Sequence, residues 1–235
     1  MPLDSFPHGD LAVVIGASGG IGGALLRSVD DSGAFATTVG FSRHGAHGLD
    51  LRDEASIARC AAHAAGLGTL RLVLVATGIL HGPGLKPEKT FRQLDPAAMT
   101  AGFAVNAIGP ALLMKHFLPL LPAHGKAVFA TLSARVGSVG DNHLGGWYTY
   151  RAAKAALNQL VRTAAVELRR RAPGAICVAL HPGTVRTDLS APFAKVGLDV
   201  QSPDVAAKRL LAVIDQLGPD DSGGFFDQHG AAVPW

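Results

Sequence analysis

The sequence predicts an α/β protein in three layers: a doubly wound parallel sheet covered by helices on both faces, spanning residues 1–235 as one domain. Three observations predict it. Short apolar runs alternate with longer helical patterns along the whole chain. The runs are unbroken Val, Leu, Ile and Ala, as strands buried on both faces require. No Pro/Ser-rich linker or internal repeat divides the 235 residues. At 48% hydrophobic and 17% charged, the chain can bury one large core, which excludes disorder.

The first strand, Leu11 to Ile15, runs into Gly16-Ala17-Ser18-Gly19-Gly20-Ile21-Gly22 and a helix over Ile21 to Val29. Glycines there permit positive φ and close approach of a pyrophosphate, while the first amides of the helix point at the anion. Gly16, Ser18, Gly20, Ile21 and Gly22 are therefore candidate cofactor contacts. A glycine turn alone is a weak signal in a chain with 29 glycines, and its place after the first strand is what strengthens it. No Gly-Lys-Ser/Thr follows, which argues against a nucleoside-triphosphate loop.

The second strand, Thr37 to Phe41, ends at Ser42-Arg43-His44 with no acid to grip two ribose hydroxyls. Arg43 offers a planar fork and Ser42 a hydroxyl, so this edge favours a 2′-phosphorylated dinucleotide; a solvated loop arginine is the plain alternative. Asp50 and Leu51 follow as an adenine edge, with Asp50 equally able to cap the helix Glu54 to Ala65. The third strand, Leu70 to Ala76, ends in Ala76-Thr77-Gly78, small enough for a ribose to lie on the backbone.

The helix Pro96 to Leu120 is apolar but interrupted by Asn106, with Pro110 four residues on. Proline has no N–H, so the carbonyl of Asn106 loses its helical partner and a kink is expected, freeing that oxygen for a water beside Lys154; a buried Asn bonded to a neighbouring strand is the alternative. The fourth strand, Ala127 to Leu132, delivers Ser133 to a carboxyl edge, where its hydroxyl can hold a carbonyl oxygen, with Ser138 as a rival and a turn or cap role equally open. Tyr150 and Lys154 then fall at i and i+4 on one face of a helix over Tyr148 to Arg171, so the ammonium can favour the phenolate of a group that otherwise titrates near 10. After the fifth strand, Ile176 to Leu180, the turn containing Pro182, Gly183, Val185 and Thr187 provides a dock for a nicotinamide carboxamide. Asp188 to Gln201 reads as a moving flap, and with Arg135 to Trp147 as the substrate wall. A helix over Pro203 to Leu217 and a weak strand near Gly224 to Phe226 complete the pattern.

Composition excludes other classes. The formal charge of +3 is scattered apart from Arg169 to Arg171, which is no nucleic-acid footprint. Cys60 and Cys177 lie in apolar runs, too few for a disulfide scaffold or thiolate metal site, and with no signal peptide in the first ten residues a cytoplasmic location is expected. Ala97 to Met114 is uncharged, but its Asn106, Gly109 and Pro110 suit a buried helix better than a membrane span.

Together, Gly16-x-x-x-Gly20-x-Gly22, Asn106, Ser133, Tyr150-x-x-x-Lys154 and Pro182-Gly183 resemble the short-chain dehydrogenase/reductase family, whose fold is Rossmann-like, in order and across essentially the whole chain. The stretches from Phe103 to Pro110 and from Gly146 to Asn158 look more narrowly like C-factor and sniffer-type carbonyl reductases. The resemblance implies an oxidoreductase using NADP(H), with NAD(H) possible, on a small carbonyl or alcohol. It implies Tyr150 as acid/base, Lys154 on the nicotinamide ribose, Ser133 orienting the carbonyl and Asn106 holding a relay water. It further implies a homodimer or homotetramer built on the two long helices. The alternative is a cofactor-binding regulatory protein of C-factor type with little turnover. Ile15 stands where many members have Thr, and Ala76-Thr77-Gly78 where many have Asn-Ala-Gly, which implies a looser cofactor loop.

Overall fold

The computed structural model describes residues 3–193 and 200–235. Six parallel strands form the main sheet in the order β2-β1-β3-β4-β5-β8, with β1 Leu11–Ile15, β2 Thr37–Phe41, β3 Leu70–Val75, β4 Ala127–Leu132, β5 Ala175–His181 and β8 Phe225–Asp227. A two-residue pair, β6 Thr184–Val185 with β7 Val200–Gln201, forms a separate ribbon that the sequence pattern did not signal. Two residues are too few for a period to appear.

The strand pleat explains why the apolar runs are unbroken. Leu11, Val13 and Ile15 of β1 enter one core with α2 (Glu54–Ala65), α4 (Gly109–Phe117) and α5 (Tyr148–Arg171). Ala12 and Val14 enter the opposite core with α1 (Gly20–Asp30) and α6 (Pro203–Gln216). Both faces are dry, so neither side of the strand can carry polar residues. The topology reverses between β1 and β3, and a doubly wound sheet opens its ligand crevice at the carboxyl ends beside that point.

The apolar stretch Pro96–Leu120 is long and apolar enough to cross a membrane. In this fold it is four pieces, α3 (Pro96–Phe103), a π turn over Ala104–Ile108, α4 and a 3-10 turn over Leu118–Leu120, and its Leu113 and Phe117 are fully buried in the core. The expected kink is thus a π turn: with no N–H on Pro110, the register relaxes by one residue and Gly109 N–H reaches the carbonyl of Ala104. Gly109 is required where it sits, since a Cβ there would lie 2.6 Å from the Cβ of Leu51.

Candidate active site

A cleft of about 700 Å³ runs along the carboxyl edge of the sheet. Its nucleotide side is made of backbone. Gly16 has φ +88, and a Cβ on it would stand 2.7 Å from the carbonyl oxygen of Ala76. On Gly22 a Cβ would stand 2.1 Å from the carbonyl oxygen of Gly16. These two positions pin the loop so that Ser18, Gly19, Gly20 and Ile21 line the cleft at the start of α1. Where side-chain ties were expected to be missing, main-chain bonds hold the loop: Gly16 and Ala17 N–H both donate to the carbonyl of Phe41, at 2.8 and 3.1 Å, and Ala76 N–H donates to that of Ile15 at 2.8 Å. Thr187 packs on Gly20 from the other side, its methyl 3.0 Å from where a Cβ would be.

Ser42, Arg43, Asp50, Leu51, Ala76, Thr77 and Gly78 all line the same cleft. The Oγ1 of Thr77 is buried there without a hydrogen-bond partner. An orphaned hydroxyl beside a loop that excludes side chains fits a bound dinucleotide supplying the missing polar contact. Asp50 does not cap α2; that role falls to Asp53, whose side chain accepts from Ala55 N–H. Asp50 is instead held by Arg52, through its N–H at 2.9 Å and its guanidinium at 3.2 and 3.3 Å, and these bonds keep its carboxyl below the usual range. Arg52, which also lines the cleft, was not signalled because one arginine on a polar turn has no pattern.

The other side of the cleft is made of side chains. Tyr150 and Lys154 line it from the first turns of α5, in the register the i, i+4 spacing demands. Lys154, 2% exposed, donates to the carbonyl of Leu132 at 2.8 Å, and its Nζ lies 5.9 Å from the centre of the Tyr150 ring. Burial lowers Lys154 to about 8 and raises the Tyr150 phenol to about 12. The expected depression of the phenol is therefore not seen in the free protein: loss of water around the ring outweighs the amine, which is not in hydrogen-bonding contact with it.

Asn106 is 1% exposed and sits behind the cleft wall. Its Oδ1 accepts from Ile79 N–H at 3.0 Å and its Nδ2 donates to the Ile79 carbonyl at 2.8 Å, so the side chain splints the loop after β3. The side chain thus takes the alternative of a buried Asn bonded to neighbouring structure, here the loop after β3 rather than a strand. Gly78 lies between the two partners, its Cβ position 3.3 Å from Asn106 Oδ1 and 3.7 Å from Lys154 Nζ.

Ser133 is 4% exposed and its hydroxyl donates to Asn158 Oδ1 at 2.6 Å. Asn158 is eight residues past Tyr150, about 12 Å along the helix axis. Ser133 touches the cleft, but its proton is spent away from Tyr150. The hydroxyl of Ser138, 1% exposed, accepts from Asp141 N–H at 3.1 Å. Asn158 continues the Tyr150, Lys154 face by one more turn, a signal the i+4 spacing already contained.

Beyond β5, Pro182 and Thr187 line the cleft, whereas Gly183 (φ +74) shapes the turn and Val185 is buried in β6. Burial lowers His181 to about 4, and its Nδ1 accepts from Arg135 N–H at 3.3 Å. Asp188 and Leu189, at the start of the segment expected to be a flap, line the cleft, while residues 194–199 of that segment lie outside the described residues. Trp147 stands edge-on to Tyr150 and to Phe193, ring centres 6.3 and 5.2 Å apart, and Phe193 meets His81 at 5.6 Å, forming an aromatic wall beside the phenol. Trp147 and Phe193 fall in the two segments expected to wall the substrate, whereas His81, on a third segment, was not signalled.

With this geometry in hand, the comparisons with known proteins agree across most of the chain. A family model described as enoyl-(acyl carrier protein) reductase matches residues 26–212. The C-signal protein of Myxococcus xanthus is 41% identical over 142 residues, 60% of this chain and 81% of that protein. A 1-hydroxy-2-glutathionyl-2-methyl-3-butene dehydrogenase of Rhodococcus sp. (strain AD45) is 29% identical over 234 residues, 95% of this chain and 98% of that one. The NADPH-bound carbonyl reductase from chicken fatty liver superimposes with a TM-score of 0.84 at 26% identity, covering 97% of this chain and all of that one.

Proposed function

This chain belongs to the short-chain dehydrogenase/reductase family, and on that footing we propose that it is an NADP(H)-dependent oxidoreductase for a small carbonyl or alcohol, with Tyr150 as its acid/base. The observation that carries the reading is the meeting of Tyr150 and the buried Lys154 with the glycine cradle in one cleft. Bound in that cleft, the cofactor supplies or accepts the hydride. Tyr150 gives its phenolic proton to the carbonyl oxygen during reduction. The Lys154 ammonium, anchored on the Leu132 carbonyl, offsets the charge left on the phenol oxygen. The proton that Tyr150 gives up is restored from solvent, from a water by the main-chain carbonyl of Asn106 and by way of Lys154. Ser133, its hydroxyl on Asn158, contributes by bracing α5 against β4 unless substrate draws that proton away.

Preference for the phosphorylated cofactor is supported by Arg43 and Ser42 lining the ribose edge, while Asp50, the one nearby acid, is engaged by Arg52. The test is kcat/KM with NADPH against NADH over a panel of aldehydes, ketones and quinones. NADPH is expected to win by at least about tenfold, and Arg43→Ala to remove most of that margin. Equal or better use of NADH would defeat the assignment. The regulatory alternative is not favoured, since binding without turnover has no use for the Tyr150 phenol in the cleft; cofactor binding with no turnover on the whole panel would revive it. Two buried unpaired cysteines suit a reducing cytoplasm. Ile108 of the π turn and Val166 of α5 are exposed apolar side chains on the two long helical stretches, which suits a homodimer or homotetramer, to be read by light scattering.

A further inference from the structure

The catalytic helix α5 does not cap itself. Trp147, in the N-cap position, has φ 52 and makes no side-chain cap bond, and the first turn holds no acidic residue. Gly145 and Gly146 precede it with φ 62 and 64, so the chain reaches the helix through three consecutive left-handed residues. Only the last of these bears a side chain, and it bears the steric strain.

The cap comes from Glu88, 61 residues before Thr149 and 4% exposed. Its main-chain carbonyl accepts from Trp147 N–H. Its Oε2 accepts from Thr149 N–H at 3.2 Å, and its Oε1 accepts from the Thr149 hydroxyl. From the opposite side the Arg151 guanidinium donates back to the carbonyls of Gly145 and Gly146, at 3.2 and 3.0 Å, and to that of Val136 at 3.3 Å. A serine or aspartate at position 147 would cap the helix more simply than a buried carboxylate from another segment.

What the remote cap adds is a connection. The segment carrying Glu88 begins at Ile79, splinted by Asn106, and its His81, Gly82 and Pro83 line the cleft. Glu88 therefore joins one cleft wall to the turn that holds Tyr150, the third residue of α5. First-turn amides without partners leave a helix end free to fray, and the phenol lies within that turn.

We propose that Glu88 is a positioning residue for Tyr150: by clamping the left-handed Gly145-Gly146-Trp147 approach, it fixes the phenol and the adjoining indole at the reacting end of the cleft. The proposal rests on Tyr150 being the proton donor. Misplacing a reacting group by about 1 Å can cost about a hundredfold in rate, so the effect should fall on kcat.

The test compares Glu88→Leu, Glu88→Gln and Thr149→Val in the full-length protein, with NADPH and the best substrate of the panel. Glu88→Leu should lower kcat roughly 10- to 100-fold while the NADPH dissociation constant stays within about twofold. Glu88→Gln should recover kcat to within about threefold, because an amide of the same length accepts the Thr149 N–H and donates to its hydroxyl. A folded Glu88→Leu enzyme with wild-type kcat overturns the proposal, as does an equal loss in the Gln and Leu variants. Should Glu88→Leu not fold, Thr149→Val decides: a roughly three- to tenfold fall in kcat supports the clamp and an unchanged kcat overturns it. Should the wild type turn over nothing, the oxidoreductase reading fails separately, and the clamp is read without activity. In a Trp235→Phe background, Trp147 is the sole indole. Its acrylamide quenching should rise in Glu88→Leu, or in Thr149→Val where Leu does not fold, and not in Glu88→Gln; no rise overturns the clamp.

Discussion

The two sides of the cleft are built from different materials. The nucleotide side is a backbone surface in which Gly16 and Gly22 leave no room for a Cβ. The catalytic side is a side-chain surface in which Asn106, Lys154, Asn158 and Glu88 are each buried and each bonded to a partner distant in sequence. A backbone site fails when an atom is added, and a side-chain site fails when one is removed.

The sharpest way to break this contrast is Tyr150→Phe, which deletes one oxygen from the catalytic side. Turnover should fall by about a thousandfold or more, with the NADPH dissociation constant within about twofold. A variant that keeps its rate would remove Tyr150 from the chemistry. The opposite experiment adds one carbon to the nucleotide side. Gly22→Ala puts a methyl 2.1 Å from the Gly16 carbonyl oxygen, and cofactor affinity should drop by about a hundredfold in fluorescence titration while Tyr150 stays in place. Unchanged affinity would mean that the loop is not a phosphate cradle.

A pH series separates the sides without mutation. Lys154 is lowered to about 8, so its charge is lost as pH rises through that value, while Tyr150, raised to about 12, stays protonated. Reductive kcat should therefore decline above about pH 8, approaching tenfold per unit, and cofactor binding, held mainly at the glycine loop, should fall by much less. A profile flat to pH 10 would contradict a role for the charged amine. The stability sign runs the other way: a lysine with its folded pKa below its unfolded one is costly to bury at low pH, and that cost fades between about 8 and 10.5.

The smallest expected effect distinguishes two uses of a hydroxyl. With its proton on Asn158, Ser133 should be replaceable by Ala at a cost of less than about fivefold in kcat and about 1–2 kcal/mol in stability by denaturant titration. A thousandfold rate loss would show that substrate recruits Ser133 after all.

Much of the scaffold was legible because its signals are local. The strands Leu11–Ile15, Thr37–Phe41 and Ala127–Leu132 and the helices Glu54–Ala65 and Tyr148–Arg171 have the bounds expected from unbroken apolar runs and 3.6-residue periods. Tyr150 and Lys154 were equally readable, since a helix converts a spacing of four into a shared face. Pro110 announced a disturbance in its helix but not the form that it took. Removing an N–H only shows that the α ladder fails, and the packing of Gly109 on Leu51 accompanies its replacement by a π turn.

By itself the sequence determined the alternation of strand and helix, the glycine loop after β1 and the Tyr150–Lys154 pair, because each depends on neighbours within about one or two turns of chain. Tertiary structure decided which way Ser133 spends its proton, that Asp53 rather than Asp50 caps α2, that the phenol is pushed up rather than down, and that the catalytic helix is capped from 61 residues away. Hydrogen-bond partners and desolvation depend on what the folded chain brings within a few ångströms, and sequence separation carries no record of that distance.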